Sequence, residues 1–261
     1  MRKFKIPTPV LPTDEEMTVV AKEWWARQAD VSFHAWNDVL KKHSLDMRIV
    51  PLPVSLIHST LELSDGGREQ KLPAVILSFA ELIRQPLIKM DCSDYFFCKL
   101  ISRSPKDWLA DDNDYGKPRP LHNVNELIDS LCCSMRTFDD MVLLRYLPDV
   151  AALVLRPYVE FSASDEWRVF VLDGKIVGIT QYYYATRFPD LTPEKVIAVE
   201  SRIRSFQDEI VSPNMNTKTF VVDYLTDGDE IKILETNPYG LSDPCLFESY
   251  ENLDGTIRWV Q

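Results

Sequence analysis

Residues 220–237, FVVDYLTDGDEIKILETN, contain the pattern that decides the fold. Two apolar runs of strand length flank the turn-forming segment TDGD, which is typical of a β-hairpin. A carboxylate interrupts each run, because Asp223 lies within FVVDYL and Glu235 lies near the end of IKILETN. A buried carboxylate is costly unless it is paired or bound to a cation. The hairpin therefore predicts either an ion pair or a metal site.

The length of the turn decides between these two interpretations. An odd-length loop places Asp223 opposite Glu235, with Cβ atoms about 5 Å apart, and brings Asn237 onto the same face. Two carboxylates and an amide oxygen suit a hard cation such as Mg²⁺. A two-residue Asp-Gly turn instead places Lys232 opposite Asp223 in an ordinary ion pair and sends Glu235 to the other face. The local sequence leaves both possibilities open.

The rest of the chain alternates helical and strand-like patterns. Helices are predicted over residues 13–29, 32–42, 123–133 and 192–211. Strands are predicted for YFFCKLI, MVLLRYL, AALVLRPYVEF, EWRVFVL and KIVGITQYYY, the last two joined by a hairpin turn at Asp173-Gly174. Residues 64–71 indicate a polar turn, whereas periodicity does not classify the apolar segment 72–88. This order indicates a mixed, largely antiparallel α+β protein.

Composition excludes several classes of function. The 261 residues are 45% hydrophobic and carry a formal net charge of −11, so neither nucleic acid nor an anionic membrane is an expected partner. The chain has only 8 glycines and lacks both GxxxxGK[ST] and GxGxxG, which disfavours glycine-rich phosphate loops. No secretory signal or membrane span is visible, and five cysteines without a CxxC pair favour a reducing cytosol. We therefore expect a cytoplasmic protein.

Three cations lie next to apolar or aromatic residues: Lys99 in YFFCKLI, Lys106 in SPKD, and Arg168 in DEWRVFV. Each either extends to solvent or awaits an anion. Recognition of phosphate without a glycine loop requires separate cations of this kind, with a metal that neutralises the remaining charge. The histidines form no HExxH motif, so a zinc hydrolase has no support.

Several segments, taken in order, resemble the cell-division-cycle protein 123 family, an offshoot of the ATP-grasp superfamily. They are AWNDVLKKHSLDMRIVPLPVSLI, FFCKLISRSPKDW, LRPYVEFSASDEWRVFVLDGKIVGITQ, FVVDYL and ILETNPYGLSDPCLFESYENL. The resemblance implies an α+β ATP-grasp fold, in which two lobes of mainly antiparallel sheet sandwich ATP. It also implies an N-terminal, partner-binding region over residues 1–94, a small lobe over 95–155, and a C-terminal lobe with the metal site over 156–261.

The resemblance also implies cofactors, ATP and Mg²⁺, and a set of site residues. Lys99 and Arg168 resemble phosphate contacts, Ser104 and Lys106 resemble a loop that closes over the nucleotide, and Arg156-Pro157-Tyr158-Val159 resembles the hinge at the adenine. The metal ligands that the resemblance implies favour the odd-length loop in the hairpin of residues 220–237. The implied ATP-binding set is Lys99, Ser104, Lys106, Arg156, Tyr158, Val159, Arg168, Asp223, Glu235 and Asn237, of which the last three are the metal ligands.

The family implies a function in protein assembly. Its members assemble eukaryotic translation initiation factor two (eIF2) and bind its gamma subunit, so we expect a monomeric, ATP·Mg-binding chaperone of that kind. The alternative is an ATP-grasp carboxylate–amine ligase, or a protein-modifying enzyme that acts through an acyl-phosphate. A third hypothesis is a nucleotide-independent binding module, because Tyr182 stands where the family usually has an arginine. No catalytic residue is assigned.

Overall fold

The computed structural model describes residues 12–64, 68–92, 95–109 and 119–261. Within this part of the chain, no helix is both long enough and apolar enough to cross a membrane. The α-helices are α1 (Asp14–Ala26), α2 (Asp38–Lys42), α3 (Val54–Ser64), α4 (Arg68–Lys89), α5 (Val124–Cys133), α6 (Met135–Leu144) and α7 (Pro193–Phe206). The strands are β1 (Arg48–Pro51), β2 (Phe96–Leu100), β3 (Ala152–Pro157), β4 (Glu166–Leu172), β5 (Lys175–Gln181), β6 (Phe220–Asp227), β7 (Glu230–Asn237) and β8 (Ile257–Arg258).

Two sheets organise these elements. A three-stranded antiparallel sheet has the order β1-β3-β2, and a five-stranded sheet has the order β7-β6-β4-β5-β8. In the larger sheet every pair is antiparallel except β5 and β8, which are parallel. The predicted α+β class with mainly antiparallel sheets is confirmed. The lobe boundary that the family resemblance implied, between residues 155 and 156, falls within strand β3.

One continuous hydrophobic core joins the helices to both sheets. It includes the fully buried Phe79 of α4, Leu153 of β3, and Val169 and Val222 of the larger sheet. Because side chains alternate along a strand, the opposite face of that sheet carries Phe170 and Val221, which form a smaller cluster with Phe247. This second face also carries Arg168 and Asp223, and it is therefore the face that builds the site.

Capping residues explain where several helices begin. Thr13 and Thr192 accept hydrogen bonds from the first turns of α1 and α7, so the predicted helices at 13–29 and 192–211 are confirmed in their main part. The predicted helix over 32–42 is wrong in its first half. The Asn37 side chain caps α2 by accepting from the Leu40 N–H at 3.0 Å, and helix begins only at Asp38. Residues 68–71, predicted as a turn, begin α4 instead, and residues 65–67 lie outside the described residues.

The segment MVLLRYL was predicted as a strand, and this prediction is wrong. Residues 141–144 complete helix α6, because the Ser134 hydroxyl caps the helix by accepting from the Thr137 N–H at 3.2 Å. The buried residues Thr137, Met141 and Leu144 recur every three or four positions, as one helix face requires. A seven-residue window shows too little of that period to distinguish it from a buried strand.

Candidate functional site

Asp223 and Glu235 lie directly opposite each other on β6 and β7. The register was predicted, but the reason given for it is wrong. The hairpin pairs Asp227 with Glu230 and so has a two-residue loop, Gly228-Asp229, in which Gly228 adopts a φ of +52°. A β-bulge between Asp223 and Tyr224 then shifts the register by one residue.

The extra residue of the bulge is Leu234, because Tyr224 pairs with Ile233 whereas Asp223 pairs with Glu235. A bulged residue is left out of the regular ladder, and its backbone groups need other partners. Arg156 of β3 supplies one of them, since its Nη1 donates to the Leu234 carbonyl at 2.8 Å. A side chain of the smaller sheet thus supports the bulge that brings Glu235 opposite Asp223.

Lys99 and Glu235 form a short ion pair between the two sheets. The Lys99 Nζ donates to Glu235 Oε2 at 2.6 Å, and the two side chains are only 4% and 19% exposed. Burial by itself raises the pKa of Glu235, but the cations Lys99 and Lys106 outweigh it and hold that pKa well below its ordinary value. Glu235 is therefore ionised at neutral pH, and Lys99 is the direct partner that balances its charge.

Arg168 and Asp223 form a second, fully buried pair. The Arg168 Nε and Nη2 donate to the two carboxylate oxygens at 2.8 and 2.9 Å, which is the bidentate geometry that guanidinium favours. Burial alone would lower the pKa of Arg168, but Asp223 raises it well above the ordinary value. Asn237 lies beside these two ion pairs, with its Nδ2 3.4 Å from Glu235 Oε1.

Lys106 reaches the same place from the loop after β2. Its Nζ donates to the hydroxyl of Tyr182. Two partly buried contacts anchor the loop on either side of Lys106, because Asp107 accepts from the Ser134 hydroxyl and Asp140 accepts from Arg103 Nε at 3.0 Å. The loop that carries Lys106 is therefore fixed to helix α6, whereas residues 110–118 lie outside the described residues.

An open cleft, whose empty space together with the adjoining solvent is about 610 Å³, lies between these cations and an apolar end. Leu45, Phe97, Phe161 and Leu234 form apolar walls. The predicted residues that line the cleft are Lys99, Ser104, Lys106, Arg156, Tyr158, Val159 and Glu235. Arg168, Asp223 and Asn237 are not among its lining residues, so the predicted site residues form one cluster of which part lies behind the cleft wall.

Arg156 has a different place from the one the sequence suggested. Its guanidinium is buried under the Phe33 ring, 4.9 Å from the ring centroid, in addition to its bond to the Leu234 carbonyl. Burial lowers the pKa of Arg156 to about 10, against the pull of Glu235. The Arg156 side chain therefore links the two sheets, whereas the family resemblance implied only that residues 156–159 form a hinge at the adenine.

Glu166 was missed by the sequence analysis. It lines the cleft, it is 5% exposed, and no described residue donates a hydrogen bond to its carboxyl. Burial, with help from Asp223 and Glu235, raises its pKa to about 8, although Lys106 and Arg168 act in the opposite direction. The available signal was its spacing, since Glu166 lies two residues before Arg168 and therefore on the same face of β4.

The donors that the sequence analysis predicted for a divalent cation are two carboxylates and one amide oxygen. Among the described residues no group of three or more His, Cys, Asp or Glu side chains is arranged to hold a metal. Asp223, Glu235 and Asn237 nevertheless match the oxygen preference of Mg²⁺, which usually takes few protein ligands and completes its shell with water and phosphate. Both carboxylates are held by cations in the present arrangement, so metal binding requires Arg168 and Lys99 to find other anions.

Comparisons with known proteins give consistent results. Residues 137–258 match the family model described as D123. The chain is 29% identical over 179 residues to the translation initiation factor eIF2 assembly protein of Candida albicans, an alignment that covers 60% of this chain and 49% of that protein. It is 32% identical over 169 residues to the protein of the same name from Aspergillus oryzae, over 60% of this chain and 40% of that one. The chain thus matches half or less of the length of these curated relatives.

The solved structure of C-terminally truncated Cdc123 from Schizosaccharomyces pombe has the same fold. The TM-score is 0.67 at 18% sequence identity, and the match covers 90% of this chain and 97% of that chain. This likeness, together with the two mainly antiparallel sheets, confirms the predicted fold class.

Proposed function

We propose that this chain, whose residues 137–258 match the D123 family model, is an assembly factor for eIF2 that binds ATP together with Mg²⁺. The observation that carries this proposal is the match of residues 137–258 to the D123 model, since they include β4, β6 and β7 with Arg168, Asp223 and Glu235. The curated relatives named as eIF2 assembly proteins support the partner. The gamma subunit as the direct partner rests on the family resemblance, whereas placement in the cytoplasm rests on the five cysteines without a CxxC pair.

The charges of the cleft support nucleotide binding. Four basic side chains, Lys99, Lys106, Arg156 and Arg168, lie around the carboxylates of Asp223 and Glu235, which form ion pairs with Arg168 and Lys99. The raised pKa of Glu166 keeps that third carboxyl largely neutral at pH 7. The cluster therefore has excess positive charge next to an apolar cleft, which suits a ligand with a flat apolar end and an anionic end.

The ion pairs predict that metal and polyphosphate bind together. A polyphosphate offers Lys99 and Arg168 new anionic partners, and their release leaves Asp223 and Glu235 available as oxygen ligands. Bound Mg²⁺ would supply charge neutralisation between these carboxylates and the phosphates. Neither ligand alone replaces both sets of partners, because each would leave buried charges unpaired.

The test is retention of purified eIF2 gamma subunit by the immobilised chain, with and without ATP·Mg, beside a thermal-shift measurement. We expect retention that ATP·Mg strengthens, and a gain of about 2.7 kcal/mol in stability at a hundredfold excess of ligand over Kd. Asp223→Asn should weaken both effects. Asp227→Asn is the matched control, because it makes the same change on the same strand at an exposed position.

Three outcomes distinguish the hypotheses. Nucleotide binding without retention of the gamma subunit would contradict the assembly function and favour an ATP-grasp ligase. Retention without any effect of ATP·Mg would favour a nucleotide-independent binding module. If Asp223→Asn and Asp227→Asn behave alike in both assays, the carboxylate cluster is not the metal site.

A further inference from the structure

Tyr182 lies between two of the cations in the cluster. Its hydroxyl accepts a hydrogen bond from Lys106 Nζ, and the Arg168 guanidinium lies over its ring, 4.7 Å from the ring centroid. The residue follows β5, whose Thr180 pairs with Arg168, and the Tyr182 N–H donates to the Glu166 carbonyl at 3.0 Å. The backbone of Tyr182 is thus attached to β4, and only the side chain is free to rotate away.

Tyr182 contacts one cation that lines the cleft and one that does not. Lys106, Glu166 and Glu235 line the cleft, whereas Tyr182, Arg168 and Asp223 do not. Lys106 Nζ lies 4.5 Å from the centroid of the Tyr182 ring, so the phenol links a cation of the cleft to the Arg168–Asp223 pair.

We propose that Tyr182 is a specificity-determining gate, whose phenol oxygen holds the place of a phosphate oxygen until a nucleoside polyphosphate displaces it. This inference rests on the proposed nucleotide site and adds how that site distinguishes the phosphate chain from the nucleoside. Rotation of the side chain frees Lys106 and uncovers Arg168. The apolar end of the cleft, at Leu45, Phe97 and Phe161, remains accessible in either position of the gate.

A phosphate oxygen is a better partner than the phenol for both cations. Burial raises the pKa of Tyr182, although Lys106 and Arg168 act against it, so the phenol is neutral at physiological pH. A hydrogen bond from ammonium to an ionised phosphate is stronger than one to a neutral hydroxyl. The gate therefore opens to an anion of high charge and stays closed to an uncharged nucleoside.

The experiment compares the wild-type chain with Tyr182→Phe by titration calorimetry, using ATP and adenosine at constant Mg²⁺. Phenylalanine keeps the ring over Arg168 but removes the acceptor for Lys106, so closing the gate no longer satisfies that cation. We expect ATP to bind roughly tenfold more tightly to Tyr182→Phe, the factor that corresponds to about 1.4 kcal/mol for one charge-assisted hydrogen bond. Adenosine affinity should stay within about twofold, since the nucleoside does not reach the hydrogen bond that is removed.

Tyr184→Phe is the matched control, because it removes the hydroxyl of a nearby tyrosine. That hydroxyl donates an exposed hydrogen bond to the carboxylate of Asp243. The control variant should leave the affinities for ATP and adenosine unchanged. An unchanged or weaker ATP affinity in Tyr182→Phe overturns the gate, and so does an equal gain for ATP and adenosine. If neither the wild type nor Tyr182→Phe binds ATP·Mg, the nucleotide site itself is wrong and the gate falls with it.

Discussion

The buried carboxyl of Glu166 should make the stability of this protein fall steeply as pH rises. Its pKa is raised from the ordinary value of 4.5 to about 8, chiefly by burial. A raised pKa means that the folded state holds the proton more tightly than the unfolded state. The contribution of this group to stability is therefore fully present below pH 4.5 and is lost as pH rises to about 8.

The size of the effect follows from the width of that interval. One pKa unit corresponds to about 1.4 kcal/mol, so the unfolding free energy should fall by about 1.4 kcal/mol per pH unit through the interval. Across the whole interval the loss is about 5 kcal/mol. Such a loss is a large part of the stability of an ordinary domain, which is about 5–15 kcal/mol.

The perturbation is Glu166→Gln, which keeps the shape of the side chain and removes its titration. Urea denaturation at pH 5, 6, 7 and 8 gives the unfolding free energy of each protein. The difference between wild type and variant should change by about 1.4 kcal/mol per pH unit, with the variant gaining relative stability toward pH 8. Glu160→Gln is the control, because Glu160 is exposed in the same part of the chain.

Two results would refute this reasoning. If the curves of wild type and Glu166→Gln remain parallel from pH 5 to pH 8, the Glu166 carboxyl does not hold its proton in the fold. If Glu160→Gln produces the same change of slope, the effect comes from overall charge and not from burial.

The remaining predictions concern the ligand, the loop and the packing. Omission of Mg²⁺ should weaken ATP binding more than tenfold in a calorimetric titration, because Asp223 and Glu235 then stay next to the phosphates; equal affinity with and without the metal contradicts the exchange of ion pairs. Asp140→Ala should lower the unfolding free energy by about 2 kcal/mol and also weaken ATP binding, since the loop with Lys106 loses its anchor, whereas the exposed Asp139→Ala should do neither. Gly178→Ala should cost about 1–3 kcal/mol in urea denaturation, because the new Cβ would lie 2.7 Å from the Cδ2 atom of Leu253; a Leu253→Ala background should reduce that cost, and full additivity would contradict the clash.

Local sequence was sufficient where a short segment contains its own structural signal. The Asp173-Gly174 dipeptide predicts the β4–β5 hairpin, and both residues have the positive φ values that such a turn requires, +49° and +79°. Caps at Thr13 and Thr192 begin two of the helices that were predicted, at residues 13–29 and 192–211. The strand prediction for MVLLRYL was wrong because the residue that caps helix α6, Ser134, lies outside the apolar run that suggested a strand.

The candidate site required more than local sequence. The family resemblance implied that the predicted residues share one site, but it included neither Glu166 nor the side-chain role of Arg156. The partners Lys99 and Glu235 are 136 residues apart in the chain, and no periodicity relates them. Their contact exists only because the two sheets pack against each other.

The hairpin at residues 220–237 shows where the division lies. The sequence by itself determined two strands, a tight turn and a carboxylate in each strand, because strand propensity and turn chemistry are local properties. Only the tertiary structure decided that the carboxylates face each other. The two-residue loop alone gives a register in which they do not, and the bulge at Leu234, with Arg156 bound to its carbonyl, shifts that register by one residue.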